Sequence, residues 1–211
     1  GKEHLADTGR HLASWGLTVA APDLCHSTVL DLDQEQNGHD MVELADALSA
    51  GPVIYSGHSA GGLAAFVAAG SDADTVAMLG LDPTEWLGIG SGAAAGVTVP
   101  AHGLIALPGV CNAWNSFVPI YASLPQGRTL QVTESGHCDY SNPNDCFACN
   151  ALCGNGTNDV FTDEEINGTI LGLSTAFLLW QTGLDSSGQQ WWSAGQPYYD
   201  ELSATGAISE P

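Results

Sequence analysis

The chain has 211 residues, long enough for one sizeable hydrophobic core, and its apolar fraction of 44% is ordinary for a globular protein. Lys2, Arg10 and Arg128 are the only fixed cations against 24 acidic residues, and the formal charge of −21 repels phosphate backbones, arguing against nucleic acid as a partner. No stretch approaches the roughly 20 consecutive apolar residues of a membrane span, and the opening "GKEHLADTGRHLASWG" lacks the basic-then-apolar pattern of an export signal. The acidity fits a solvated surface in a salty or extracellular medium; attraction of a cationic partner is the less common alternative.

The predicted elements alternate between helix and strand. Residues 3–15, with Leu5, Leu12 and Trp15, predict an amphipathic helix ending at Gly16. "LTVAAPDL" (17–24) has the signature of a buried strand, and "HDMVELADALSAG" that of a second helix stopped by Gly51. "PVIYSG" predicts a strand and "AGGLAAFVAAG" a helix, followed by strands at "TVAMLGLDP" and "AHGLIAL" with a flexible surface loop over 90–97 between them. A helix over "WNSFVPIYASLP" and a last strand at "RTLQVTES" come next. Thr162-Asp163-Glu164-Glu165 forms a capping box before a long apolar helix, and the aromatic tail from Ser186 suggests a short helix packed on the edge. This alternation predicts an α/β fold in a single domain, 1–211, with a mostly parallel central sheet and helices on both faces.

Six cysteines stand at 25, 111, 138, 146, 149 and 153, four of them inside "CDYSNPNDCFACNALC". A zinc site would want the second half of a C-x-x-C…C-x-x-C pair, which the chain lacks. The even count in a lysine-poor acidic chain indicates disulfides of open pairing, no metal, and an oxidising compartment, secreted or periplasmic.

Chemistry concentrates at Gly57-His58-Ser59-Ala60-Gly61. A serine between glycines, where a strand meets a helix, fits a nucleophile elbow, in which Gly57 and Gly61 permit a sharp turn and close helix–strand approach. Ser59 would project above the sheet, and the Ala60 N–H would be one oxyanion donor. A serine nucleophile needs a base, and the base an orienting acid. Of seven histidines, His137 lies just past the last strand and downstream of the serine, the place of the base in the order Ser, acid, His.

No Asp or Glu occurs between Trp86 and Thr133, so an acid between serine and histidine must be Asp72, Asp74, Asp82, Glu85 or Glu134. Asp72 and Asp74 precede their strand, and Glu134 is too near His137 in sequence to reach behind its ring, as is Asp139 on the other side. Asp82 stands at the carboxyl end of "TVAMLGLDP", the edge where Ser59 and His137 should emerge, with Glu85 second.

Through "HLASWGLTVAAPDL", "GHSAGG", "GLDP", "SGHCDY" and the helix near 166–181, the chain resembles α/β-hydrolases of the chlorophyllase-like group, related to bacterial polyester hydrolases and cutinases. The resemblance implies an α/β-hydrolase fold and a Ser-Asp-His esterase without metal or organic cofactor, its acid in the "DP" step where Asp82 lies. Trp86 looks like the aromatic beside the scissile ester in polyester hydrolases, though packing under the loop 87–97 explains it equally well. His58 joins Trp86 as an expected substrate-binding residue.

Family members begin with further strands, one of them central and leading to the second oxyanion donor, whereas this sequence opens at the helix that follows. A sheet without that strand would leave backbone groups unpaired. The strand and donor are therefore expected upstream of Gly1, in a segment missing from the sequence or supplied as a separate chain. The expected protein is a monomeric carboxylic-ester hydrolase acting on a small-molecule or polymeric ester. A peptidase or acyltransferase on the same residues, or a non-catalytic secreted binding module of the same fold, are the alternatives.

Overall fold

Four apolar runs become parallel strands: β1 (Val53–His58), β2 (Thr75–Leu81), β3 (Ala101–Ile105) and β4 (Gly127–Val132). In this computed structural model the protein is described over residues 2–26, 33–48, 51–144, 147–154 and 156–211, excluding the side chains of 147 and 148. A short fifth strand, β5 (Ile208–Ser209), pairs antiparallel with β4, giving the order β1-β2-β3-β4-β5. The helices are α1 (Ala6–Ser14), α2 (Gln34–Ala47), α3 (Ala60–Ser71), α4 (Ile89–Ala93), α5 (Val118–Ser123), α6 (Phe147–Cys153), α7 (Asp163–Thr182) and α8 (Pro197–Ala204).

The two faces of the sheet follow the two-residue period of its strands. On one face Ala77, Leu79 and Leu81 of β2 join Leu104 and Leu130 against Leu12 of α1 and Leu173 and Phe177 of α7. On the other, Tyr55, Met78 and Ala101 pack on Leu63 and Phe66 of α3 and Tyr121 of α5. Burial on both faces is why β2 and β3 read as near-continuous runs of small and apolar residues, whereas β1 and β4 alternate buried and half-buried positions. Tyr121 also explains a glycine on each central strand: a Cβ at Gly80 would stand 2.2 Å from its hydroxyl, and one at Gly103 2.7 Å from its ring. At the start of α7 the Thr162 hydroxyl accepts from Glu165 N, and the Glu165 carboxylate accepts from Thr162 N, the reciprocal cap expected there.

Several expectations need correction. Residues 17–24 form no strand, and Thr18 to Ala21 are exposed. An extended segment becomes a strand only with a ladder partner, and β1 ends the sheet on that side among the described residues. The loop expected over 90–97 is largely helical, with α4 followed by a 3-10 turn (Ala94–Gly96). Its glycines allow a close approach to α3, where a Cβ on Gly96 would lie 2.3 Å from the Gly70 carbonyl oxygen. The helix expected over 114–125 is confined to α5, and α2 begins earlier than expected, at Gln34, with Asp33 capping Gln36 N. The expected stop of that helix falls next to residues 49 and 50, which lie outside the described residues. Arg128 clamps the tail by pairing with Glu210 at 2.6 Å and stacking on Tyr199.

His102 on β3 is 8% exposed, its ring between Phe177 and Trp192 and its Nδ1 without a hydrogen-bond partner. Burial, and secondarily Arg128 on the neighbouring strand, push its pKa down from 6.5 to about 3. The folded protein keeps this ring neutral while the unfolded chain takes up its proton near pH 6.5, so stability falls as pH drops from 6.5 towards 3. The slope is at most about 1.4 kcal/mol per pH unit. His102→Phe, which keeps the ring and removes the titration, should therefore lose about 2 kcal/mol less than wild type between pH 7 and pH 5 in urea unfolding. Equal losses would exclude His102 as a source of acid sensitivity.

Candidate active site

The elbow is built by backbone approach. Ser59, between β1 and α3, has φ 57° and ψ −125°, a positive-φ conformation that L residues seldom adopt. It is held by Ser59 N donating to Leu81 O and by Ser59 O accepting from Gly62 N and Thr84 N. A Cβ on Gly57 would sit 2.3 Å from the Gly61 carbonyl oxygen, and one on Gly62 2.8 Å from both Gly57 O and Pro83 Cβ. Gly61 faces open space, so the close-packing glycines are Gly57 and Gly62, a correction to the role expected of Gly61. Ala60 opens α3, and its N–H is among those that a helix cannot satisfy internally.

The turn after β4 carries His137, the first residue of a buried 3-10 turn (His137–Tyr140). Its Nε2 stands 2.9 Å from Ser59 Oγ and its Nδ1 2.6 Å from Asp82 Oδ2. Asp82, just past β2, is fully buried and has φ 43°. An ionised carboxylate only accepts, so Nδ1 carries the imidazole proton and Nε2 is left to accept from the serine hydroxyl. The structure thus brings together Ser59, His137 and Asp82, and Ala60 follows Ser59 as the first residue of α3.

Asp82 has further donors that the sequence did not single out. Ala106 N donates to Oδ1 at 2.9 Å, and Asn112 Nδ2 lies 3.2 and 3.1 Å from Oδ1 and Oδ2. Asn112 is 1% exposed; Nδ2 also donates to Leu107 O, while its Oδ1 accepts from Gly109 N and Asn115 N. One amide therefore holds the carboxylate and shapes the loop after β3, where Ala113, Trp114 and Asn115 all have positive φ. The available signal was a pair of asparagines, Asn112 and Asn115, in "PGVCNAWN", inside the interval that has no acid.

The other acids are engaged elsewhere. Asp72 accepts from Tyr55 OH and Asp74 N at the opposite edge of the sheet. Glu85 accepts from the Gly90 and Ser91 amides at the start of α4. Glu134 accepts from Val160 N and Phe161 N, and these bonds lower its pKa. Asp139 accepts from Gly136 N, and burial raises its pKa. Trp86 follows Asp82 closely and is 50% exposed rather than packed beneath its loop. His58, expected to bind substrate, has its Nε2 2.8 Å from His137 O in the turn after β4.

Two disulfides brace this edge. Cys138–Cys149 ties the residue after His137 to α6, and Cys111–Cys153 ties the residue before Asn112 to the same helix. Cys25 is exposed and unbridged among the described residues, and Cys146 lies outside them. Cys138, Cys149 and Cys153 converge as metal ligands would, but every one of these sulfurs is in a disulfide and cannot act as a thiolate. No helix among the described residues is long and apolar enough to cross a membrane.

Together these features define an α/β protein with a five-stranded, mostly parallel sheet and, at the carboxyl edge of that sheet, a Ser–His–Asp hydrogen-bonded chain whose His137 and Asp82 are buried. No protein-family model matches the chain, and no curated protein matches it significantly.

The disulfides predict a graded response. They close loops of sequence separation 42 and 11, so loop-closure entropy assigns about 4 kcal/mol to Cys111–Cys153 and about 3 kcal/mol to Cys138–Cys149. Paired Cys→Ser variants should show that order in urea unfolding; a larger loss for Cys138–Cys149 would contradict the loop-entropy account.

Proposed function

We propose that this protein is a serine carboxylic-ester hydrolase of α/β-hydrolase fold, acting on a small-molecule or polymeric ester. The observation that carries the proposal is the continuous chain from Ser59 Oγ through both nitrogens of His137 to a buried Asp82. The resemblance of "GHSAGG", "GLDP" and "SGHCDY" to chlorophyllase-like hydrolases supports it.

In the first half-reaction Ser59 Oγ attacks the ester carbonyl carbon as His137 Nε2 takes the hydroxyl proton. The carbonyl π pair moves onto oxygen, and the Ala60 N–H stabilises that charge. Asp82 stabilises the imidazolium and keeps the proton of Nδ1 in place. As the tetrahedral species collapses, the bond to the alcohol oxygen breaks and Nε2 returns its proton to that oxygen. The acyl-enzyme is then attacked by water, which gives a proton to His137 Nε2; Ser59 recovers that proton and the carboxylic acid leaves.

Asn112 serves as a positioning residue, since it fixes the carboxylate that fixes the ring. Trp86, four residues after Asp82 in sequence and half exposed, offers an aromatic surface to the substrate. The two disulfides fit an oxidising compartment, secreted or periplasmic.

With short-chain p-nitrophenyl esters, Ser59→Ala should abolish turnover, and Asp82→Asn should lower kcat about ten-thousandfold by removing the tautomer control. Asn112→Leu should cost roughly 10- to 100-fold in kcat with little change in KM, and Glu85→Gln far less than either. Turnover that survives Ser59→Ala overturns the assignment. A larger loss for Glu85→Gln than for Asp82→Asn would move the acid to Glu85.

A further inference from the structure

His58, half-buried, lies one residue before Ser59 at the end of β1, and its ring rests against the turn that carries His137. Its Nε2 is 2.8 Å from the His137 main-chain oxygen, and the two imidazole centroids are 4.6 Å apart. Its Nδ1 is 3.4 Å from Ser141 Oγ, and its ring runs nearly parallel to Tyr140, at an interplanar angle of 13°.

These contacts assign the tautomer. A main-chain carbonyl can only accept, so Nε2 of His58 carries the proton, and bare Nδ1 faces the Ser141 hydroxyl as acceptor. Desolvation, followed by the neighbouring His137, pushes the His58 pKa down from 6.5 to about 3, so the ring stays neutral around pH 7. A neutral donor suits this place, because a second imidazolium beside His137 would oppose the charge that the base acquires.

The contact also answers a mechanical need. Ser59 and His137 sit on separate elements, and their own hydrogen bond must form and break during turnover. Asp82 anchors the imidazole at one atom, Nδ1, which leaves the position of the turn that carries the ring to be fixed from elsewhere. We propose that His58 is a positioning residue for His137: its Nε2–H holds the His137 carbonyl, and its peptide bond to Ser59 makes that single contact set base and nucleophile relative to each other. This role rests on the esterase reading above and replaces substrate contact as the function of His58.

The test uses the whole chain and two readouts: labelling of Ser59 by a fluorophosphonate, and kcat and KM on a p-nitrophenyl ester. His58→Phe keeps a ring against His137 and Tyr140 but has no donor; His58→Gln restores an N–H at comparable reach. His58→Phe should slow both labelling and kcat roughly 10- to 100-fold with KM within about twofold, and His58→Gln should return both to within about threefold of wild type. Undiminished labelling in His58→Phe, a loss that His58→Gln does not recover, or a rise in KM at unchanged kcat would each overturn the inference. Should His58→Phe fail to fold, nitrogen-15 NMR of the wild-type ring decides: a protonated Nε2 and bare Nδ1 between pH 5 and 8 are required, and the opposite tautomer overturns the role. Labelling that survives Ser59→Ala overturns the esterase reading itself, whereas labelling lost in Ser59→Ala and unchanged in His58→Phe overturns only the role of His58.

Discussion

A carboxylate out of contact with solvent at the end of β2 is the constraint around which the carboxyl edge of the sheet is arranged. Burying a charge costs several kcal/mol unless its oxygens are satisfied, so Asp82 needs donors on every side. They come from Ala106 N at the end of β3, from Asn112 in the loop beyond it, and from His137 after β4. To deliver Asn112, the chain turns back through three successive residues of positive φ, an arrangement that costs on the order of 1–3 kcal/mol at each strained position. The amide oxygen of Asn112, which bonds Gly109 N and Asn115 N, and the Cys111–Cys153 bridge offset that cost.

Parallel topology does the rest of the assembly. With β1, β2, β3 and β4 running the same way, the residues that follow each strand emerge at one edge, so side chains far apart in sequence meet without a long excursion. The strained elbow fits because Gly57 and Gly62 let α3 press against the strand ends, while the β1–α3 junction aims Ser59 outward. The two disulfides converge on α6 from both sides of this edge, linking the His137 turn to the Asn112 loop. Structure and proposed chemistry share the same fasteners: what holds the loops also holds the groups in register.

Much of this was legible from residues alone, where the cause was local or periodic. Apolar runs located β1, β2 and β3, the segment "RTLQVTES" read as the last strand became β4, and Thr162 with Glu165 located the start of α7. The acid-free interval left five candidate carboxylates, of which Asp82 stood at the carboxyl end of its strand, and it is the one that the fold brings to His137. Where a feature depends on a partner, local signals failed. "LTVAAPDL" has the composition of a strand but pairs with none among the described residues. The glycine-rich 90–97 stretch forms α4 and a turn because α3 lies close enough to pack against. The close-approach glycine proved to be Gly62, since spacing within a motif does not say which Cα faces the neighbouring chain.

By itself, then, the sequence determined the α/β class, the strand-to-helix turn at Ser59, and the small set of residues that the fold could bring to it, because periodicity, capping and the scarcity of acids are properties of the chain. The tertiary structure alone decided that Asn112 clamps Asp82, that Cys111 bridges to Cys153 and Cys138 to Cys149, and that His58 turns to the His137 carbonyl. Each of these is a contact between segments that sequence distance does not relate. Their partners are chosen by which loops the sheet brings to one edge and by the need to satisfy polar groups once water has been excluded there.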